Sequence, residues 1–244
     1  MPDTLSPPPV APRARGLAGR IVGVLTSPRA TYADVAARPR WLGVMLVVMA
    51  ATIIPVMWLL QTDVGRAAGI DMQLQTLESF GQSVSDDQYR QMQQMAPYAG
   101  YVTAASQLVA IPLVTLALSG VTFAIFNGGL GASAAFRQVF AVVAFSGVVS
   151  ALRTLFSTPL NYARASLSSP TNLAAALPFF EDNTFGARLL GSIDLFFIWW
   201  IVSLAIGLGV LYNRRTAPIA TTMLVVYGAI ALTMATVRSM LAGA

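Results

Sequence analysis

Two charges set inside long apolar runs, Arg153 and Asp194, are the residues of this chain best placed to do chemistry. A lone charge deep in a bilayer costs on the order of ~3 kcal/mol on insertion scales, so each needs a partner, a wet cavity or a route to the interface. Three readings are open. The pair is a structural clasp that fixes helix order, or it lines a polar cavity for a ligand or ion, or each side chain snorkels separately. Arg238 is a second partner open to Asp194. Otherwise the reactive inventory is defined by what is missing. The chain has no cysteine and no histidine, which removes disulfides, thiolate nucleophiles, serine-histidine and cysteine-histidine catalysis, histidine metal ligands and histidine proton relays. Asp194 is the single acid within an apolar run, so the paired aspartates of an intramembrane aspartyl protease are absent too. Met92 and Met95 offer thioethers, but two of these alone make a poor cuprous site, and interfacial packing is the expectation. The sequence therefore implies no catalytic residue, no metal and no cofactor.

The elements that must carry these residues are five apolar stretches, running from Trp41 to Leu60, Tyr101 to Phe126, Val139 to Leu160, Leu189 to Tyr212 and Ile219 to Met240. Each approaches the ~20 residues that a helix needs to cross a bilayer. The fold expected is an all-α polytopic membrane bundle of five transmembrane helices. Arginines gather before the first stretch (Arg13, Arg15, Arg20, Arg29, Arg38, Arg40), and acids follow it (Asp63, Asp71, Glu78, Asp86, Asp87). Arg137, Arg214 and Arg215 fall on alternate connections, so the N-terminus is expected in the cytoplasm and the C-terminus outside. Arg153 interrupts the third stretch, and a re-entrant segment with four crossings is the alternative. Measured down from the outer ends, Arg153 sits about 10 Å along the third helix and Asp194 about 8 Å along the fourth, at matched depth.

Composition agrees with a membrane protein. Hydrophobic residues make up 56% and charged residues 10%, against about 25% charged in a soluble domain. Mean hydropathy is +0.66 and the pI is near 10.1. The basic charge lies beside the spans, so it suits orientation and anionic lipid headgroups at the cytoplasmic face rather than nucleic acid.

Residues 1–16 are proline-rich and expected to be a disordered cytoplasmic tail. Residues 17–40 carry helical spacing (Leu17, Ile21, Val24, Leu25; then Tyr32, Val35, Ala36), with Ser27 before Pro28 as a helix start. Two short amphipathic helices on the inner leaflet are expected there, as an anchor or as a surface for a protein partner. Residues 41–244 form the five-helix domain, with an outer segment at 61–98. In that segment Ser85 and Gln88 make a capping box for a surface helix. No A-x-A-like cleavage site follows Leu60, so the first spanning helix is expected to stay as an anchor. Pro55 and Pro112 should kink their helices. Gly120, Gly128, Gly129, Gly207, Gly209 and Gly228 permit close helix approach.

The stretch PFFEDNTFGARLLGSIDLFFIWWIVSLAIGL, from Pro178 to Leu208, resembles the fourth-helix region of the Yip family, the Rab- or Ypt-interacting type of membrane protein, in its bacterial branch. Asp194, Phe196, Phe197, Trp199 and Gly207 stand where that group tends to show an acid, aromatics, tryptophan and glycine. TSPRATYADVAARPRW, from Thr26 to Trp41, is similar to the family's cytoplasmic segment, and GGLGASAAFRQVFAVVAFS, from Gly128 to Ser146, to its glycine loop and third helix. The resemblance implies five helices with a cytoplasmic N-terminus. Eukaryotic relatives are linked to vesicle traffic through prenylated small GTPases.

The function expected is a non-catalytic membrane scaffold or adaptor that binds protein partners or organises lipid, in the cytoplasmic (inner) membrane of a bacterium. The alternative is a subunit of a small-solute transporter or channel using Arg153 and Asp194. Five spans do not divide into equal inverted repeats, though a homo-oligomer restores symmetry. An enzyme acting on lipid or peptide is the third reading, with Asp194 as its only buried acid.

Overall fold

Runs of leucine, valine, isoleucine and alanine leave a chain in lipid one local way to satisfy its own N–H and C=O groups, the helix. The computed structural model describes residues 15–176 and 184–242, and apart from one isolated β-bridge every regular element among them is helical. The expected disordered tail falls almost wholly outside the described residues. In chain order the helices are α1 (Leu17–Thr26), α2 (Pro28–Ala37), α3 (Leu42–Gln61), α4 (Asp63–Ser79), α5 (Asp86–Met95), α6 (Ala99–Phe123), α7 (Phe136–Ala163), α8 (Leu173–Ala176), α9 (Phe185–Gly191), α10 (Leu195–Leu211) and α11 (Thr216–Ala242). A single 3-10 turn joins α5 to α6, and a π-helical turn over Ala124–Gly129 extends α6.

Among the described residues, four helices (α3, α6, α7 and α11) are long and apolar enough to cross a membrane. The protein is thus a helical membrane bundle. The fifth apolar helix, α10, has 17 residues, about 26 Å of rise. The central element is α7, whose Val139, Val142, Phe145 and Val149 are fully or almost fully buried against α3, α6 and α10. α6 and α11 lie at the periphery and turn long apolar faces outward, including Val109, Val114, Val225 and Ile230. In a bilayer such faces meet acyl chains and cost nothing.

Where the fourth stretch reads as one helix from Leu189 to Tyr212, the structure breaks it. Helix α9 ends at Gly191, Ser192 and Ile193 turn, and Asp194 caps the start of α10. A glycine that ends one helix followed by an aspartate that starts the next is a stop-start signal, and the surrounding leucines conceal it. A second difference is α4, a 17-residue helix in the outer segment. Its start is fixed by Thr62, whose Oγ1 accepts from the Gly65 N–H at 3.0 Å. The Ser85–Gln88 capping box closes in both directions and starts α5. Helices α3 and α6 run through Pro55 and Pro112 without interruption, and α7 likewise through Pro159.

Helices α1 and α2 are built into the bundle rather than laid beside it. Arg20 is buried between them, its Nε donating to Asp34 at 2.7 Å and its Nη1 to the Arg38 carbonyl at 3.0 Å. Tyr32 and Val35 on α2 have no exposed surface. The Tyr32 hydroxyl reaches Ser203 of α10 at 2.8 Å, and burial pushes its pKa above the ordinary tyrosine value. Gln138 at the start of α7 donates to the Ala36 carbonyl at 2.9 Å.

Candidate functional site

Asp194 is held by its own helix before anything else touches it. As the residue preceding α10 it accepts from the Phe196 and Phe197 N–H groups at 2.9 and 3.2 Å through Oδ1, satisfying two of the donors that a helix start leaves unpaired. The other oxygen, Oδ2, faces away from the helix. It accepts from Ser169 Oγ at 2.9 Å, Thr171 Oγ1 at 2.7 Å and Arg153 Nη2 at 2.9 Å. The five donors use the full acceptor capacity of a carboxylate.

The Arg153 partner comes from α7, which runs antiparallel to α10. Near the other end of the same packing, Gly207 faces Val142. Arg153 stands about 26 Å along α7 from Phe136, and Asp194 stands about the same distance from Leu211 along α10. The pair therefore meets near one end of the bundle, where a hydrocarbon core of about 30 Å would be ending. The matched level is kept, but Asp194 sits at a helix start and not a turn and a half inside one. Of the two side chains, Asp194 is 13% exposed and Arg153 42%.

Ser169 and Thr171 are brought in by a returning loop. After α7 the chain folds back so that Thr171 and Leu173 pair with Ile193 and Leu195: Leu195 N–H donates to the Thr171 carbonyl at 3.0 Å, and Leu173 N–H to that of Ile193 at 2.9 Å. From α11, Tyr227 accepts the Asp194 N–H at 2.9 Å and donates to the Ser192 carbonyl at 3.0 Å. Sequence reasoning missed Ser169, Thr171 and Tyr227. Hydroxyls in a serine-rich loop and a tyrosine in an apolar run carry no spacing signal that links them to an aspartate far along the chain. The Arg238 side chain lies outside the described residues.

The other sequence-marked positions divide between this cluster and the opposite end of α10. The Phe196 ring packs near Phe156 and Trp199 at centroid distances of 5.7 and 5.8 Å, and Phe197 lies 4.7 Å from the Tyr227 ring. Trp199 is 38% exposed. Gly207 belongs to the α2 contact. A Cβ there would lie 2.6 Å from Val142 Cγ1 and 3.0 Å from the Tyr32 ring, so the absent side chain is the socket into which Tyr32 fits. Among the described residues no group of three or more acids could hold a metal ion.

Two surface depressions among the described residues bear on the site. One, about 600 Å³, lies between α4, the end of α5 and the start of α6; the other, about 440 Å³ and more polar, lies between residues 131–133 and 211–214. Neither touches Arg153 or Asp194. Chemically, the clasp can pair charge and fix helix order, with the Asp194 carboxylate fully hydrogen-bonded.

A family model described as Yip1 domain matches residues 22–237. No curated protein and no solved structure gives a match.

Proposed function

The chain belongs to the Yip1 domain family, and from that premise we propose that it is a non-catalytic membrane scaffold or adaptor, holding a protein partner on the outward side of α1 and α2. The observation that carries the reading is the closed state of its one intramembrane acid. Asp194 spends every lone pair on helix-start, loop and arginine donors, which leaves the carboxylate no lone pair with which to accept a further proton. Five crossings with a cytoplasmic N-terminus accompany this reading, because α10 keeps antiparallel company with α7 over most of its length. The arginine distribution supports putting the α1–α2 end at the cytoplasmic face, and the proposal takes the membrane to be a bacterial inner membrane. At that end Val22 of α1 is 57% exposed, and Arg29, Ala30 and Ala33 of α2 are exposed as well. These positions offer apolar and cationic contacts.

The test is affinity purification in mild detergent of the full chain and of a Val22→Asp/Arg29→Glu variant, whose changes lie on exposed positions and leave the Tyr32 socket intact. A protein captured by the parent and lost by the variant supports the adaptor surface. Identical captures from both would sink it. The half-open Arg153 side chain favours a second reading, an aqueous route past the pair in a transporter subunit.

A further inference from the structure

The 600 Å³ groove at the α4 end has the size of a small-molecule site, within the usual range of about 300–1,000 Å³. Its walls are apolar, built from Leu60, Ile70, Leu77, Met92, Met95 and Val102. Among the described residues that line it, Arg66 alone is charged. That guanidinium is poorly neutralised. Its Nη1 lies 3.5 Å from Asp63, a side chain fully open to solvent, and such an exposed pair contributes little. Its Nη2 donates to the Gln61 carbonyl at 2.9 Å. Its Nε is buried with no acceptor. One end of an apolar groove thus holds a cation with an unsatisfied donor, and the chemistry asked of an occupant is an acyl chain joined to an anionic oxygen group.

The position says where such a molecule comes from. Trp58, Tyr98, Tyr101 and Tyr162 stand around the same end of the bundle and are 44–59% exposed. Trp58 and Tyr162 face each other at 5.5 Å. Exposed aromatics with a polar tip mark the headgroup level of a bilayer. Val102 forms part of the groove and is itself 58% exposed on α6, so the groove continues sideways into the lipid-facing surface. We propose that this groove holds one acyl chain of an anionic phospholipid from the adjoining leaflet, with its phosphate on Arg66. The site is independent of which side of the membrane faces the cytoplasm and of the adaptor surface at the other end.

The experiment titrates the full chain, in a non-ionic detergent, with dioleoyl phosphatidylglycerol or dioleoyl phosphatidylcholine. Melting temperature and amide hydrogen exchange are followed together. The result expected is stabilisation by phosphatidylglycerol at roughly tenfold lower concentration than by phosphatidylcholine, about 1.4 kcal/mol, with slowed exchange in residues 66–77 and 92–103. Arg66→Gln removes the preference and keeps the chain-driven binding; Ala99→Trp fills the groove and removes both. Equal response of the parent to the two lipids would overturn the proposal. So would protection confined to the arginine-rich end, or a preference that survives Arg66→Gln.

Discussion

Replacing Asp194 by asparagine changes one oxygen for an NH2 group and leaves the shape alone. The retained Oδ1 still accepts from Phe196 and Phe197, and asparagine starts helices as well as aspartate does. Ser169 and Thr171 turn their hydroxyls to accept from the new amide. Arg153 has no such freedom: its Nη2, 2.9 Å from the former carboxylate, now faces a donor. A charge-assisted bond of this kind contributes about 1.5–3 kcal/mol, and the 42% exposure of Arg153 argues for the lower part of that range. The variant should lose about 2 kcal/mol, which for a chain of this size lowers the melting temperature by about 4–8 °C. Asp194→Ala also loses the helix start and should cost about 1 kcal/mol more. Arg153→Gln in the asparagine background restores a donor-acceptor pair, so the double variant should recover at least about 1 kcal/mol relative to the sum of the single losses. Fluorescence-detected melting in mild detergent measures the parent and the four variants, Arg153→Gln alone included. Strictly additive losses would refute the clasp.

Other outcomes follow from the α2 socket and the α1–α2 hairpin. Gly207→Ala forces its methyl against Val142 and Tyr32 and should destabilise by about 1–3 kcal/mol, with part of the loss recovered by Val142→Ala in a melting cycle. Tyr32→Phe removes the bond to Ser203 and should cost about 1 kcal/mol. Because the folded Tyr32 holds its proton above the unfolded pKa of about 10, its contribution is complete below that pH and falls as pH rises further. The parent should therefore lose stability faster than Tyr32→Phe above about pH 10 in an alkaline melting series. Arg20→Gln leaves Asp34 without its buried partner and should cost about 3 kcal/mol, read as detachment of α1 in limited proteolysis.

Periodicity and length made the long helices legible, since α3, α6 and α11 each follow from an uninterrupted apolar run and α7 from one that Arg153 alone interrupts. The break before α10 was concealed because Leu189, Leu190 and Ile193 keep the run apolar while Gly191 and Asp194 do the interrupting. Helix α4 was concealed for the opposite reason. Its glycines and polar residues carry no strong stripe, and its position depends on Thr62 and on close packing at Gly65 against the Leu59 carbonyl. The charges at Arg153 and Asp194 could be singled out because isolated charge in an apolar run is costly. Their hydroxyl partners could not, because a loop that returns to pair Thr171 with Leu195 is a tertiary event. Gly207 shows the same limit: the residue type was readable, and the Tyr32 ring that requires it was not.

A scaffold needs the Arg153–Asp194 cluster to be sealed, and the cysteine-free chain makes single-cysteine labelling a direct measurement of that seal. Thr171 is 6% exposed and touches Asp194, while Asp87 on α5 is open. In membrane vesicles treated with a water-soluble thiol reagent on both faces, Asp87→Cys should label at once and Thr171→Cys only after denaturation. Equal labelling of the two would place water beside Asp194, and the transporter reading would then replace the scaffold.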